Sequence, residues 1–158
     1  MTLVVASEGI PAEEIKLEPR ADGFVVMIAS PNVARRLTTY DQVEFILKDI
    51  IRVSAGGCVQ TGTASWKPYV GTIGPESQPA HEGLIKLPGM DVPMRLSAFL
   101  ALHQNGYLVP ESLPLSRDRR LHLGYDAEFY DNNGYWGPDR GARCADDAWI
   151  RLEVTRAR

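Results

Sequence analysis

The chain has 158 residues, 44% of them hydrophobic, a formal net charge of −3 and two cysteines. That is the length of one ordinary domain with enough apolar content for a core. The acidic balance argues against the clustered basic surface of a nucleic-acid binder, and no apolar run approaches the ~20 residues of a membrane-spanning helix.

The N-terminus, Met1 to Glu8, lacks a basic region and a long apolar stretch, so a cytoplasmic protein, or one exported without a classical signal peptide, is expected. Ala12–Ile15 reads as one helical turn before Pro19. Phe24–Ile28 is β-branched and aromatic-rich between Gly23 and Pro31. Gln42–Leu47 alternates at first, Asp49–Ala55 ends at Gly56-Gly57, and Gly83–Leu87 stops at Pro88-Gly89. Pro93–Gln104 fits a strand or a short helix, and strand is the expectation. Gly106–Val109 stops at Pro110, Arg120–Tyr125 alternates strictly, and Trp149–Thr155 places Ile150, Leu152 and Val154 on one face. Period-2 runs of this length between glycines and prolines read as strands. Seven or more of them predict an all-β fold, an antiparallel β-sandwich or jelly roll. Residues 22–158 form its single domain, with 1–21 an N-terminal arm or extra edge strand.

Two segments are too long for simple turns, Gly56–Glu82 and Asp126–Asp147. Long loops in a compact β domain tend to carry function. Each follows a strand that can end on the same edge of the sandwich, which would bring them together. The second opens with Asp126 and continues through Tyr130-Asp131-Asn132-Asn133-Gly134-Tyr135. Crowded carboxylate and amide oxygens suit calcium, which takes about 6–8 oxygen ligands. A solvated turn uses the same residue types. The EF-hand register fails: with Gly134 at its glycine position, Phe129 and Arg140 fall where the first and last ligands belong. A calcium site here must recruit oxygens from elsewhere.

Signatures of catalysis are missing. There is no G-x-S-x-G, and His81-Glu82-Gly83-Leu84-Ile85 has Ile85 where a zinc protease needs its second histidine. His103 and His122 sit on apolar stretches and read as packing or surface residues. The carboxylate pairs Asp126/Asp131 and Asp146/Asp147 cannot be set across a cleft by sequence alone. A non-enzyme is expected. Arg117-Asp118-Arg119-Arg120 reads as a solvated turn. Trp149 belongs to a strand, whereas Trp66 and Trp136 lie in the long loops. Cys58 and Cys144 match neither a zinc pattern nor C-x-x-C, which leaves two buried thiols or one long-loop disulfide.

The segment Asp49–Gly57, then Trp66, Gly83-Leu84-Ile85, Asp126 and Asp131-Asn132-Asn133-Gly134 resembles the bacterial calcium-dependent galactophilic lectins of the PA-IL type. The resemblance covers roughly residues 22–155. It implies a small galactose-binding-domain-like jelly roll in which a loop-bound calcium coordinates sugar hydroxyls. Carried over, Asp126 and Asp131 ligate calcium and contact sugar, with Asp131 standing where the family has asparagine. Asn132 is a side-chain ligand, Gln60 a backbone-carbonyl ligand, and the fifth falls among Glu128, Phe129 and Tyr130, with Tyr130 taken here. His81 and Glu82 lie near the family's sugar-contacting positions, and Trp136 would shape the rim. The calcium loop is shorter than the family's, and residues 135–144 are an insertion. The resemblance also implies that Cys58 and Cys144 come close, with a disulfide favoured in an exported protein. The expected function is calcium-dependent binding of carbohydrate, for which the resemblance points to the galactose type, with avidity from homo-oligomers or fused domains. The alternative is a protein-interaction or assembly module with a purely structural calcium.

Overall fold

The computed structural model describes residues 2–5, 13–61, 66–71, 81–114, 117–127, 130–135 and 144–157. In chain order the elements are β1 (Thr2–Val5), β2 (Glu13–Arg20), β3 (Gly23–Ala29), β4 (Thr38–Glu44), β5 (Ile50–Gly56), β6 (Cys58–Gln60), β7 (Trp66–Pro68), β8 (Glu82–Lys86), β9 (Met94–Arg95), α1 (Leu96–Leu102), β10 (Tyr107–Leu108), β11 (Arg120–Asp126) and β12 (Trp149–Thr155). A six-stranded sheet runs β1-β2-β3-β12-β5-β10, a four-stranded sheet runs β4-β11-β8-β9, and β6 and β7 form a short ribbon. The strand pairings are antiparallel, and the two sheets face each other as an all-β sandwich.

Alternation builds the core. In β12, Ile150, Leu152 and Val154 are buried while Arg151 and Glu153 stay partly exposed. β12 lies between β3 and β5, so its inward face meets Val26, Ile28 and Ile51 in one apolar cluster. The second sheet contributes Leu121, Leu123, Tyr125, Leu84 and Ile85. Burying such side chains stabilises by roughly 1.5–3 kcal/mol each before conformational entropy is set against it.

Two segments depart from the sequence expectations. Of the residues expected as a helical turn before Pro19, Glu13–Ile15 lie instead in β2, where Ile15 is buried between more exposed neighbours, and Ala12 lies outside the described residues. Pro19 is tolerated because β1 pairs with β2 only as far as Lys16, so its missing N–H leaves no gap in a ladder on the outer edge. Pro93–Gln104, expected as a strand, has only two strand residues before α1 begins. Leu96 and Phe99 are three apart and both buried, which is helical spacing. No side chain of α1's own N-terminus caps it. The carboxylate of Glu82 does so from β8, accepting the Ser97 N–H at 2.9 Å and the Ser97 hydroxyl at 3.0 Å.

Candidate functional site

The two long loops meet along β6. Gly57, at φ 77°, turns the chain out of β5, and a Cβ there would collide with the Asp147 backbone. Cys58 then donates its N–H to the Asp146 carbonyl at 3.0 Å and accepts the Ala148 N–H at 2.9 Å. Gln60 and Gly134 form an antiparallel bridge, with N–H···O distances of 2.8 and 2.9 Å. On its other side β6 pairs with β7. Cys58 and Cys144 are joined by a disulfide with their Cα atoms 5.3 Å apart. The first loop is therefore pinned to the second at three points.

The expected calcium ligands fall as follows. The buried Gln60 lies against the Asp-rich loop through its bridge to Gly134. Tyr130 accepts the Asn133 N–H at its backbone carbonyl, 3.1 Å, which closes a tight turn, and its hydroxyl donates to the Tyr125 carbonyl at 2.8 Å. Asp131 and Asn132 form the exposed tip of that turn. Asp126, at the end of β11, is differently occupied. Arg36 donates to its Oδ1 at 3.3 Å, and the Arg95 Nε stands 3.4 Å from its Oδ2. The Asp126 side chain is 22% exposed, while Arg36 and Arg95 are 60% and 41% exposed, so both arginines reach in from solvent.

The expected sugar contacts are dispersed. His81 is partly exposed just before β8. Glu82 is 4% exposed, with its carboxylate consumed by Ser97 and by the Gly71 N–H at 3.1 Å. Glu82 is therefore placed as a buried carboxylate that caps a helix and ties down the 69–71 segment, away from the exposed turn. Trp136 lies outside the described residues, as do Glu128 and Phe129.

Below the loops, Tyr69, Tyr125 and Tyr135 are buried, and desolvation pushes each phenol well above its ordinary value of 10. They remain neutral at any physiological pH. The Tyr135 hydroxyl donates to the Pro31 carbonyl at 2.6 Å, which anchors the second loop to the segment after β3.

The donor set suits a hard cation in kind, being carboxylate, amide and carbonyl oxygen. It is poor in charge. Among the described residues no three His, Cys, Asp or Glu side chains cluster as a metal would require, and Asp126 is already neutralised by guanidinium groups. A calcium ion held by Asp126, Asp131, Asn132 and the carbonyls of Gln60 and Tyr130 would have two carboxylates, and it would displace both arginines from the first. Low ligand charge places such a site toward the weak end of calcium affinities.

Sequence reading missed Arg36 and Arg95, which lie far from Asp126 along the chain and carry no motif. It also missed the structural role of Glu82, whose partners depend on a helix in a segment expected as a strand. No protein-family model matches the chain, and no curated protein matches it.

Proposed function

We propose that this chain is a calcium-dependent carbohydrate-binding, lectin-like domain. The observation that carries the reading is the bridge between Gln60 and Gly134, which sets the first loop's backbone carbonyl beside the turn that bears Asp131 and Asn132. Asp131 and Asn132 are exposed at the turn's tip, where a ligand can approach from solvent. Calcium bound at this edge would supply open coordination positions for a pair of sugar hydroxyls. Asp131 would accept hydrogen bonds from those hydroxyls, and His81 would contribute to the rim. The purely structural role for calcium is less well supported, because a disulfide and backbone bridges already hold the two loops together.

The test is calorimetric titration with calcium, followed by a glycan panel in calcium and in chelator. The expected outcome is weak calcium binding, lost in Asp131→Ala and Asn132→Ala, and glycan binding that disappears with chelator. Calcium binding without any glycan signal at millimolar concentration would reject the lectin reading, and absence of calcium binding would reject both.

A further inference from the structure

The chain holds two asparagine–glycine pairs, Asn105-Gly106 and Asn133-Gly134. Such a pair is open to a reaction of its own backbone. Glycine has no side chain to shield its nitrogen, and it turns freely enough to bring that nitrogen onto the preceding side-chain amide. As sequence the two pairs are equivalent. The fold makes them different.

Asn133 is locked. Its side chain is 3% exposed, and its amide donates to the Val33 carbonyl at 3.0 Å. Its own N–H donates to the Tyr130 carbonyl at 3.1 Å. The Gly134 N–H is held by the Gln60 carbonyl at 2.9 Å, and the Gly134 carbonyl accepts the Gln60 N–H at 2.8 Å. The Gly134 nitrogen is free to attack only when this bridge opens, and the Cys58–Cys144 disulfide lies two residues from Gln60 on the same strand.

Asn105 is open. It is exposed in the turn between α1 and β10, and its side chain makes no hydrogen bond among the described residues. The Gly106 N–H has a single tie, to the His103 carbonyl at 3.0 Å. That bond lies just past the end of a seven-residue helix whose last residue, Leu102, is 67% exposed. Ends of short exposed elements open locally at little free-energy cost. Gly106 itself is fixed by the fold. Its φ is 115°, and a Cβ there would lie 2.8 Å from Ile50 Cγ2. The glycine that makes the pair reactive is therefore one this turn cannot exchange.

We propose that Asn105 is a modification site, converted spontaneously to isoaspartate and aspartate, and that the folded protein confines the reaction to this turn. The Gly106 nitrogen bonds to the side-chain carbonyl carbon of Asn105. The bond from that carbon to the amide nitrogen breaks, and ammonia leaves with the proton lost from Gly106. Water then opens the five-membered imide. Opening at the main-chain carbonyl gives isoaspartate, and opening at the side-chain carbonyl gives aspartate. The proposal does not rest on the calcium reading.

The product changes its surroundings. Isoaspartate lengthens the main chain by a methylene, and its carboxylate stands beside the C-terminal end of α1, where the helix dipole disfavours negative charge. β10 follows at once and is held to β5 by the pairs Tyr107–Ile51 and Leu108–Ile50 alone. Conversion therefore loosens β10.

The experiment incubates the oxidised full chain for weeks at pH 8 in 18O-labelled water, with a parallel sample in urea. Peptides are mapped by mass spectrometry, with aspartate and isoaspartate forms separated. In the folded chain, conversion at Asn105 is expected to be about tenfold faster or more than at Asn133, the factor that ~1.4 kcal/mol of extra opening free energy at the bridge gives. Isoaspartate is expected among the products, with one labelled oxygen taken up. In urea the two rates are expected to converge. Amide exchange at Tyr107 and Leu108 is expected to quicken in the converted protein. The proposal is overturned by equal or faster conversion at Asn133 in the folded chain, or by an Asn105 that reacts in urea but not when folded. Aspartate without isoaspartate would overturn the cyclic route, and an Asn105 preference that persists in urea would overturn confinement by the fold. Unchanged exchange at Tyr107 and Leu108 would overturn the loosening of β10.

Discussion

Gln60 and Gly134 exchange both of their backbone hydrogen bonds, although 74 residues separate them in the chain. With the Cys58–Cys144 disulfide two residues away, that exchange makes one rigid edge out of two loops. Its consequences are testable.

Reducing the disulfide, or replacing both cysteines with serine, is expected to destabilise the domain by about 4 kcal/mol, given the 86-residue separation of Cys58 and Cys144. Urea unfolding with and without reductant measures it. Amide exchange at Gln60 and Gly134 should accelerate in the reduced protein more than in the β3–β12 ladder. Equal protection in both states would show that the backbone bridges alone hold the edge.

Asp49 is fully buried and accepts both the Ile46 N–H at 2.9 Å and the Arg156 guanidinium at 3.2 Å. Arg156 also lies 4.9 Å from the centroid of the Phe24 ring. Arg156→Ala strands the carboxylate inside the protein and is expected to cost roughly 3–5 kcal/mol. Adding Asp49→Asn should recover part of that loss, a non-additivity that a double-mutant cycle reads directly.

Glu82→Ala removes the carboxylate that holds Ser97 and Gly71. A loss of about 2–3 kcal/mol is expected, because two backbone N–H groups and a buried hydroxyl lose their partner. Far-UV circular dichroism should report fraying of α1. Reduced glycan affinity in a fully folded Glu82→Gln variant would place the residue at the ligand site.

Glu13 sets a pH dependence whose sign is opposite to that of a salt-bridged carboxylate. Burial raises its folded pKa above 4.5, with the Tyr40 hydroxyl and the Asn32 N–H acting against that rise. Between 4.5 and the folded value the native state binds more proton than the unfolded chain. The stability this residue contributes is therefore present below 4.5 and lost as pH rises through the folded pKa. Glu13→Gln keeps an acceptor for Tyr40, so it should be more stable than the parent at pH 7, with the difference vanishing below about pH 4.5. Urea midpoints across pH 4–8 test this, and a pH-independent difference would assign the effect to packing.

On the proposed function, Arg36 and Arg95 compete with calcium for Asp126. The Arg36→Ala/Arg95→Ala double variant is expected to bind calcium severalfold more tightly, since exposed ion pairs of this kind hold only ~0.2–1 kcal/mol each. Calorimetric titration reads the change. Unaltered or weaker binding would place the ion away from Asp126.

The strands were legible where alternation coincides with two-sided packing. Trp149–Thr155 is the clearest case, because a central strand buries every second residue whatever the rest of the fold does. The meeting of the two long loops was expected from their positions after strands, and the pairing of Cys58 with Cys144 from the resemblance. What the sequence determined by itself is thus local period and turn chemistry, properties of residues a few positions apart. Other features were decided only in three dimensions. Leu96–Leu102 is helical because Glu82 of another strand satisfies its N-terminus. Glu13–Arg20 is extended because β3 offers it a ladder. Asp126 carries its charge between Arg36 and Arg95 because β11, β9 and the segment after β3 converge there. A cleft lined by Glu13, Asn32, Tyr40 and Asn133 belongs to no single stretch of chain, because β2, the segment after β3, β4 and the loop after β11 meet only in the fold, and no periodicity within any of them encodes that.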